Sequence, residues 1–302
     1  MFKNFQEIEE YVLTSDKRKK LVLCGAHDEV ALEAVVNAKR KKIVDGILIG
    51  DEPIIQELLA SCNEPASDYE IIHEPAENKA AALAFQMVND GIADIPMKGK
   101  MQSTTYLTSI MNPLRGLMDM DTILSETTVV YYPDEERLIL ITDCALNVAP
   151  DLEDKKLLIK NAAKLANILG IDKPKVAVLS AVENPAPNIV SSMEANELAM
   201  MEWDNGITVE GPFALDNAVS LEAAKHKGIS SKVAGRADIL LIPELCAGNI
   251  LHKSLHFFAH IPTASIMCGT TSPVVFTSRT DSFDTKYYSI LCAVLESMRI
   301  EK

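Results

Sequence analysis

The sequence is short of positive charge, and this shortage limits what the protein can bind. Its 302 residues include 29 lysines and arginines against 43 aspartates and glutamates, a formal net charge of −14. A general nucleic-acid binder needs a basic surface to replace the counterions of the phosphate backbone, so the deficit excludes that class. Only seven residues are arginine. Any anionic ligand must therefore be held by a few local donors against an unfavourable overall field.

Patterns for membrane insertion, export and disulfide formation are also lacking. No uncharged apolar run reaches the ~18 residues that a spanning helix needs. The first residues, MFKNFQEIEEYVL, carry charges where an export signal has its apolar core, so we expect a cytoplasmic protein with no membrane partner. The six cysteines form no CxxC pair, and all but Cys62 lie in apolar stretches, which predicts buried free thiols.

The chain does have the composition and periodicity of a globular α/β protein. Hydrophobic residues make up 48% and charged residues 24%, and the length suggests about two domains. Eleven short apolar runs alternate with nine helical patterns, among them a strand predicted at Val44–Gly50 and a helix predicted at Asn217–His226. Runs such as LVLCGA, ADILLIP and TASIMCG are apolar throughout, which is typical of parallel strands covered by helices on both faces. The alternation predicts an α/β architecture.

One segment interrupts the alternation. The strands predicted at Thr127–Tyr132 and Leu138–Asp143 are joined by PDEER, with no helix between them. We interpret this as an antiparallel hairpin with an acidic, solvated turn, and as the place where a second domain begins.

The segment CGTTSPVVFTSRTDSFD, from Cys268 to Asp284, is the strongest candidate for an anion site. A strand ends at Gly269-Thr270-Thr271, and a second short strand leads to Ser278-Arg279 just before a long helix. The helix N-terminus presents free N–H groups, and the Arg279 guanidinium suits a phosphoryl or carboxylate group. The alternative is an ordinary capped helix with one surface arginine.

Three further strand ends are weaker candidates. Lys98-Gly99 follows an apolar strand, where a glycine allows close approach and a lysine can meet an oxyanion; a solvated lysine is the alternative. Asp143 and Asn147 follow another strand, and Asn249 a third, at the carboxyl edge where ligands of α/β sheets gather. A helix cap and turn explains Asp143 and Asn147 equally well. Motifs of the Walker, GxGxxG and GxSxG types do not occur.

Three histidines fall in the helix predicted from Gly248 to Ala259 and just beyond it. His252, His256 and His260 have i, i+4, i+8 spacing, which places them on one helix face. Two of them could ligate zinc, but HExxH is missing, so we interpret them as packed or surface histidines and predict no metal site.

Taken together, several segments resemble the phosphate acetyl/butyryltransferase family, and its butyryltransferase branch most closely. They are MKG at 97–99, LITDCALNVAPDL at 140–152, PKVAVLSAVE at 174–183, VEGPFALDNAVS at 209–220, AAKHKGI at 223–229, ADILLIPELCAGNILHKSL at 237–255 and PVVFTSRTDS at 273–282. The resemblance covers nearly the whole chain in collinear order. GPFALDNA and TSRTDS are its specific parts.

The resemblance implies a reaction and an architecture. Enzymes of this family move an acyl group between coenzyme A and inorganic phosphate without a metal or redox cofactor, and usually form homodimers or larger homo-oligomers. Their two α/β domains, with an interdomain cleft for the substrates, resemble the isocitrate/isopropylmalate dehydrogenase architecture. By this resemblance we expect one domain at 1–120 plus 267–302 and the other at 121–266. The expected partners are a coenzyme A thioester and phosphate.

The resemblance also implies residue roles. Ser278 and Arg279 match the family's Ser-Arg pair at the acyl phosphate, and Asp281 is the expected base for the coenzyme A thiol, with Asp284 as the second candidate. Attack is expected to be direct, with no covalent role for Cys268. The residues expected to bind substrate are Lys98, Gly99, Arg115, Asp143, Asn147, Asn249, Gly269, Thr270 and Thr271.

Two positions depart from the family's usual pattern. A basic residue usually stands where this chain has Thr108, and Gly-Leu-Arg-Thr-Gly usually stands where it has Gly-Leu-Met-Asp-Met at 116–120. Arg115, three residues before Met118, is the candidate to compensate. The alternatives to an acyltransferase are a diverged family member that only binds an anion and, less favoured, a nicotinamide-dependent dehydrogenase of related architecture.

Overall fold

The computed structural model describes residues 1–204 and 206–300, and these fall into two compact units. The terminal unit comprises Phe5–Leu124 and the segment from Thr263 onward. The central unit comprises Met1–Asn4 and Ser125–Pro262. The sequence-based boundaries, after residue 120 and after residue 266, lie four residues from these divisions (120 against 124, and 266 against 262).

Strands and helices alternate along most of the described chain. The strands are β1 (Lys19–Cys24), β2 (Val44–Gly50), β3 (Glu70–His73), β4 (Ile95–Lys98), β5 (Ser125–Tyr132), β6 (Arg137–Thr142), β7 (Lys175–Leu179), β8 (Thr208–Phe213), β9 (Ile239–Leu241), β10 (Thr263–Cys268) and β11 (Val274–Val275). The α-helices are α1 (Phe5–Val12), α2 (Glu29–Arg40), α3 (Glu52–Ser61), α4 (Glu77–Asn89), α5 (Ser103–Ile110), α6 (Leu152–Ile168), α7 (Val190–Met200), α8 (Leu215–Val219), α9 (Leu221–His226), α10 (Leu245–Phe257) and α11 (Phe283–Ile300). The predicted α/β fold is confirmed.

The terminal unit is built on a mostly parallel sheet. Its strand order is β3-β2-β1-β4-β11-β10, and only β10 and β11 pair antiparallel. Nearly every residue of β1, β2 and β4 is buried, as their continuous apolar runs predict for strands covered on both faces. The pairing of β4 with β11 brings together two chain segments that are far apart in sequence.

The central unit has its own sheet arrangement, with the order β5-β6-β9-β7-β8. β5 and β6 form the predicted antiparallel hairpin, and the other neighbours are parallel. A short 3₁₀ turn at Pro133–Glu135 joins the hairpin strands, with Glu136 in the left-handed region at φ 48°. Arg137 follows it and makes ion pairs with Glu135 and Asp238.

The helices show two differences from the sequence prediction. Helix α1 was not predicted, although its buried residues Phe5, Ile8 and Val12, at i, i+3 and i+7, form the apolar face of an amphipathic helix. The single helix predicted over Asn217–His226 is two helices, α8 and α9. Ser220 separates them, since its hydroxyl accepts the Ala223 N–H and so begins a new helix. Among the described residues, no helix is both long enough and apolar enough to cross a bilayer.

The cysteine and histidine predictions need correction. Cys246 is exposed rather than in apolar surroundings, because it lies in the first turn of α10 beside the Glu244 cap. Cys24, Cys144, Cys268 and Cys292 are buried free thiols as predicted, and Cys62 is partly buried. The three histidines do not share a helix face. Helix α10 ends at Phe257, so His260 lies beyond it, while His252 is buried with its Nδ1 3.1 Å from Thr128 Oγ1.

Candidate functional site

The ends of β4 and β11 place the two most promising sequence segments side by side. Lys98 is the last residue of β4, and its side chain is 2% exposed. Its Nζ donates to the carbonyl oxygens of Thr277 at 3.4 Å and Gly99 at 3.5 Å. Thr277 follows β11 and directly precedes Ser278-Arg279. The predicted Lys98 and Ser278-Arg279 elements therefore belong to one cluster in the terminal unit.

A second buried lysine, which the sequence analysis missed, joins this cluster. Lys286 lies in the first turns of α11 and is 1% exposed. Its Nζ donates to the Ser278 carbonyl oxygen at 2.8 Å and to Thr277 Oγ1 at 3.4 Å. Sequence offers one signal for it: a lysine one helical turn after the TSRTDS motif, followed by an almost wholly apolar helix.

The charges of this cluster act on one another. Burial lowers the pKa of Lys98, and the neighbouring Lys286 and Arg279 lower it further, while Asp28 and Cys24 partly offset the shift. Asp28 is the N-cap of α2, where its carboxylate accepts the Ala31 N–H. Two buried ammonium groups close to a guanidinium favour any state in which an anion is bound.

The Ser278-Arg279 loop itself is exposed. Ser278 Oγ lies 3.2 Å from Thr280 Oγ1, and both are solvent accessible. The Arg279 guanidinium makes no hydrogen bond or ion pair to the residues that the structure describes. An exposed fork of donors next to two buried ammonium groups is suited to binding a phosphoryl group from solvent.

The two carboxylates considered as a base lie in different environments. Asp281 is 4% exposed, and its Oδ2 accepts the Ser278 N–H at 2.7 Å, which closes the loop over three residues. Asp284 is exposed in the first turn of α11. Ser282, rather than Asp281, caps the helix, because its Oγ accepts the Thr285 N–H at 3.2 Å.

A second group of predicted residues in the terminal unit follows β10. Gly269 has φ 81°, and its carbonyl oxygen accepts the Asp119 N–H at 2.9 Å. Thr271 donates its N–H to Leu117 at 2.8 Å, and Thr270 forms an isolated bridge with Met118. The segment that departs from the family's usual Gly-Leu-Arg-Thr-Gly therefore lies directly against Gly269–Thr271, a contact that the sequence analysis did not foresee.

Arg115 lies in the loop before this segment and is exposed. Its backbone is fixed at both ends, since its N–H donates to Asn112 Oδ1 at 3.1 Å and its carbonyl accepts from Asn89 Nδ2 at 2.9 Å. The guanidinium makes no ion pair or hydrogen bond within the described chain. Thr108, the other departure, is exposed on α5.

Gly99 has a structural reason to be glycine. Its N–H donates to the Cys24 carbonyl at 2.8 Å, and a Cβ there would lie 2.4 Å from the Gly25 oxygen. The residue allows the chain leaving β4 to run against the chain leaving β1, and so sets the position of Lys98.

The remaining predicted residues, Asp143, Asn147 and Asn249, come together in the central unit. Asp143 accepts the N–H groups of Ala145 at 2.7 Å and Leu146 at 3.0 Å, and the Asn147 Nδ2 at 2.6 Å. Asn249 Nδ2 donates to the Cys144 carbonyl at 3.4 Å. Asp143 therefore stabilises the turn after β6, which agrees with the alternative explanation of Asp143 and Asn147 as turn residues. The same contacts bring Asp143, Asn147 and Asn249 close together.

The histidines and acidic residues do not form a metal centre in the part of the chain described. No group of three or more histidine, cysteine, aspartate or glutamate side chains there is arranged to hold a metal ion.

Comparisons with known proteins agree on one family. A family model described as "Phosphate acetyl/butaryl transferase" matches residues 54–294. The chain is 40% identical over 298 residues to the phosphate butyryltransferase of Clostridium acetobutylicum, covering 98% of each chain. It is 41% identical over 281 residues to the phosphate acetyltransferase of Thermotoga maritima, covering 91% of this chain and 94% of the relative.

Solved structures extend the comparison to the fold. A branched-chain phosphotransacylase from Enterococcus faecalis matches with a TM-score of 0.82 at 32% identity, covering 92% of this chain and 99% of that one. A 4-hydroxythreonine-4-phosphate dehydrogenase from Klebsiella pneumoniae matches with a TM-score of 0.52 at 13% identity, covering 95% of this chain and 100% of that one. The second match confirms the predicted dehydrogenase-like fold. Given a family model over most of its length and curated relatives about 40% identical from end to end, the chain belongs to the phosphate acetyl/butyryltransferase family.

Proposed function

We propose that the protein is an acyltransferase that moves a short acyl group, butyryl or acetyl, reversibly between coenzyme A and inorganic phosphate. The observation that carries the proposal is the cation cluster of Lys98, Lys286 and Arg279 around the Thr277–Arg279 loop. It provides a phosphate site in a chain of net charge −14 whose relatives are named as phosphate acyltransferases.

In the direction that forms the thioester, the thiolate sulfur of coenzyme A attacks the carbonyl carbon of the acyl phosphate. A C–S bond forms, and the bond between the carbonyl carbon and the oxygen that bridges to phosphorus breaks. Phosphate leaves with the electron pair of that bond. Arg279 neutralises the charge that develops on the leaving phosphate, and Ser278 donates a hydrogen bond to the developing oxyanion or phosphate. The protein forms no covalent acyl intermediate.

The thiol proton passes to a carboxylate, for which we propose Asp281. A free thiol has a pKa near ~8.5, so a modest base in a positive environment suffices to form the thiolate at neutral pH. Asp281 lies two residues after Arg279, and its Oδ2 accepts the Ser278 N–H, which supports a defined position for the base. Cys268 is buried at the end of β10, which supports leaving it without a covalent role.

The remaining features of the proposal follow from the family. The protein acts on a coenzyme A thioester and phosphate, needs no metal or redox cofactor, works in the cytoplasm and assembles as a homo-oligomer. One relative named as a butyryltransferase is 40% identical to this chain and one named as an acetyltransferase is 41% identical, so both acyl lengths belong to the proposal.

The test is phosphate-dependent release of free thiol from butyryl-coenzyme A and from acetyl-coenzyme A. We expect the wild-type protein to release thiol only when phosphate is present. Arg279→Ala should lower kcat/KM by about 10²- to 10³-fold, the usual effect of removing one donor to transition-state charge. Arg18→Ala is the matched control, since Arg18 is an exposed arginine paired with Asp45. Absence of phosphate-dependent thiol release with any short acyl chain would overturn the proposal.

A further inference from the structure

Lys286 is an unusual residue for its position. It lies near the start of α11, whose next residues are almost all buried, and its own side chain is 1% exposed. Burying an ammonium group is costly unless hydrogen bonds or opposite charges compensate it. A lysine kept in such a place therefore needs a reason that an apolar residue could not supply.

The hydrogen bonds of Lys286 show what it holds. Its Nζ donates to the Ser278 carbonyl oxygen at 2.8 Å, while the Ser278 N–H donates to Asp281 at 2.7 Å. Both backbone groups of Ser278 are thus fixed by charged side chains, one from Lys286 on α11 and one from Asp281 two residues before that helix. Because the backbone of Ser278 is fixed, the hydroxyl of Ser278 and the guanidinium of Arg279 project from a rigid loop.

Lys286 also adds positive charge beside two other cations, Lys98 and Arg279. Lys98 is 2% exposed and makes two long contacts, 3.4 and 3.5 Å, to carbonyl oxygens. It makes no ion pair with a carboxylate in the described part of the chain. Two buried ammonium groups beside an exposed guanidinium repel one another, and a doubly charged anion relieves that repulsion more than a singly charged one.

We infer that Lys286 is a positioning residue of the Thr277–Arg279 loop and gives this loop its affinity for the phosphate dianion, with little effect on coenzyme A. The inference rests on the proposed function, and it adds to that function a residue on α11 that does two things. It orients the loop through the Ser278 carbonyl, and it supplies a buried positive charge.

The test compares Lys286→Met, which removes both donor and charge, with Lys286→Gln, which keeps a donor. Inorganic phosphate binding is measured by titration calorimetry, and KM for phosphate and for butyryl-coenzyme A by thiol release. We expect Lys286→Met to weaken phosphate binding and raise its KM by about 10- to 100-fold, as for the loss of a charge-assisted contact. The KM for butyryl-coenzyme A should change by less than about threefold. The phosphate affinity of Lys286→Gln, and its KM for phosphate, should lie between those of Lys286→Met and the wild type.

A buried lysine elsewhere provides the matched control. Lys155 is also buried, but it pairs with Glu194 in the central unit. Lys155→Met should leave phosphate binding unchanged, so any effect of Lys286→Met is not a general cost of removing a buried lysine. Should Lys286→Met fail to fold, Lys286→Gln carries the comparison, since it keeps an amide donor at the site.

A pH series separates the charge effect from a purely structural one. Lys98 experiences Lys286, Arg279, Asp28 and Cys24. Removing the Lys286 charge should raise the pKa of Lys98, so phosphate binding to Lys286→Met should persist to higher pH than in the wild type. An unchanged phosphate affinity in a folded variant would overturn the inference, whereas wild-type protein that binds phosphate but releases no thiol would overturn the proposed function alone.

Discussion

Asp281 is buried and hydrogen-bonded, whereas Asp284 is exposed, and this difference makes the choice of base testable. The Oδ2 of Asp281 accepts the Ser278 N–H at 2.7 Å. An asparagine keeps an oxygen acceptor for that N–H but loses the charge that accepts a proton. We expect Asp281→Asn to lower kcat/KM for thioester formation by about 10²- to 10⁴-fold, the usual contribution of a general base. Melting temperature, measured alongside, should change little.

Asp284→Asn is the control for this prediction. The residue lies three positions further along and is exposed in the first turn of α11, so the same chemical change there should alter kcat/KM by less than about threefold. A large loss with Asp284→Asn and near-normal activity with Asp281→Asn would assign the base to Asp284 and leave Asp281 as the residue that closes the loop.

Individual site residues were predictable where a strand end marks them. Lys98 and Arg279 follow apolar runs, and the structure brings both to one cluster through the pairing of β4 with β11. Lys286 was not predictable in this way, because a lysine near a helix N-terminus usually belongs to a solvated face. Its burial depends on the packing of α11, and the apolar residues that follow Lys286 are the one local signal of that burial. The prediction that Cys246 is buried was wrong for a related reason. Its neighbours in sequence are apolar, but the face of α10 on which Cys246 lies is exposed.

At the scale of elements, helix α1 is attached to α11 by contacts that the sequence pattern does not reveal. Phe5 stacks on Tyr288 with ring centroids 4.4 Å apart, and Glu9 accepts the Tyr287 hydroxyl at 2.9 Å. Ile8 is fully buried between these contacts in the middle of the helix. Since α11 also carries Lys286, α1 supports the helix on which the loop contacts depend.

We expect Ile8→Ala to lower the free energy of unfolding by about 2 to 4 kcal/mol, because the truncation leaves a cavity that the surrounding side chains fill only in part. Urea denaturation followed by circular dichroism measures this. Ile54→Ala on α3 makes the same chemical change at a residue that is 40% exposed, and should cost less than about 1 kcal/mol. Equal effects at the two positions would show that α1 contributes no more to stability than a surface contact.

Most elements were predictable from the sequence, but α1 was missed and α8 and α9 were predicted as one helix. All eleven predicted strands are present, and β2 matches its prediction at both ends, because apolar runs bounded by polar turns leave few alternatives. Helix α1 was missed although Phe5, Ile8 and Val12 have helical spacing, whereas the break between α8 and α9 depends on one cap by Ser220. The order of the strands in each unit depends on tertiary packing, and the sequence predicted no such order.

At the scale of the whole molecule, the charge distribution is compatible with the proposed anion site. The net charge of −14 repels anions at long range, but salt screens that repulsion beyond about 10 Å. Lys98 and Lys286 are buried, so their attraction for phosphate is screened far less than the surface charges are. The protein can therefore combine an acidic surface with an anion site, provided that the cations are concentrated in one loop cluster.

One buried carboxyl couples the stability of the molecule to pH. Glu296 lies on α11 with its Oε2 buried and without a hydrogen-bond partner among the described residues, and burial raises its pKa to about 8 from an ordinary value of 4.5. The folded protein keeps the proton up to about pH 8, whereas the unfolded chain releases it above about pH 4.5. The unfolded state therefore binds fewer protons in this window, and stability must fall as pH rises through it.

Glu296→Gln removes this ionisation while it keeps the shape of the side chain. At each pH, the free energy of unfolding of the wild type is subtracted from that of the variant. This difference should increase by about 2 to 5 kcal/mol between pH 5 and pH 8.5, since each unit of pKa shift is worth about 1.4 kcal/mol. Urea midpoints at four or five pH values measure the difference. Glu57→Gln, at an exposed position on α3, should follow the wild-type pH profile. Parallel profiles for Glu296→Gln and the wild type would mean that Glu296 ionises in the folded protein as it does in the unfolded chain.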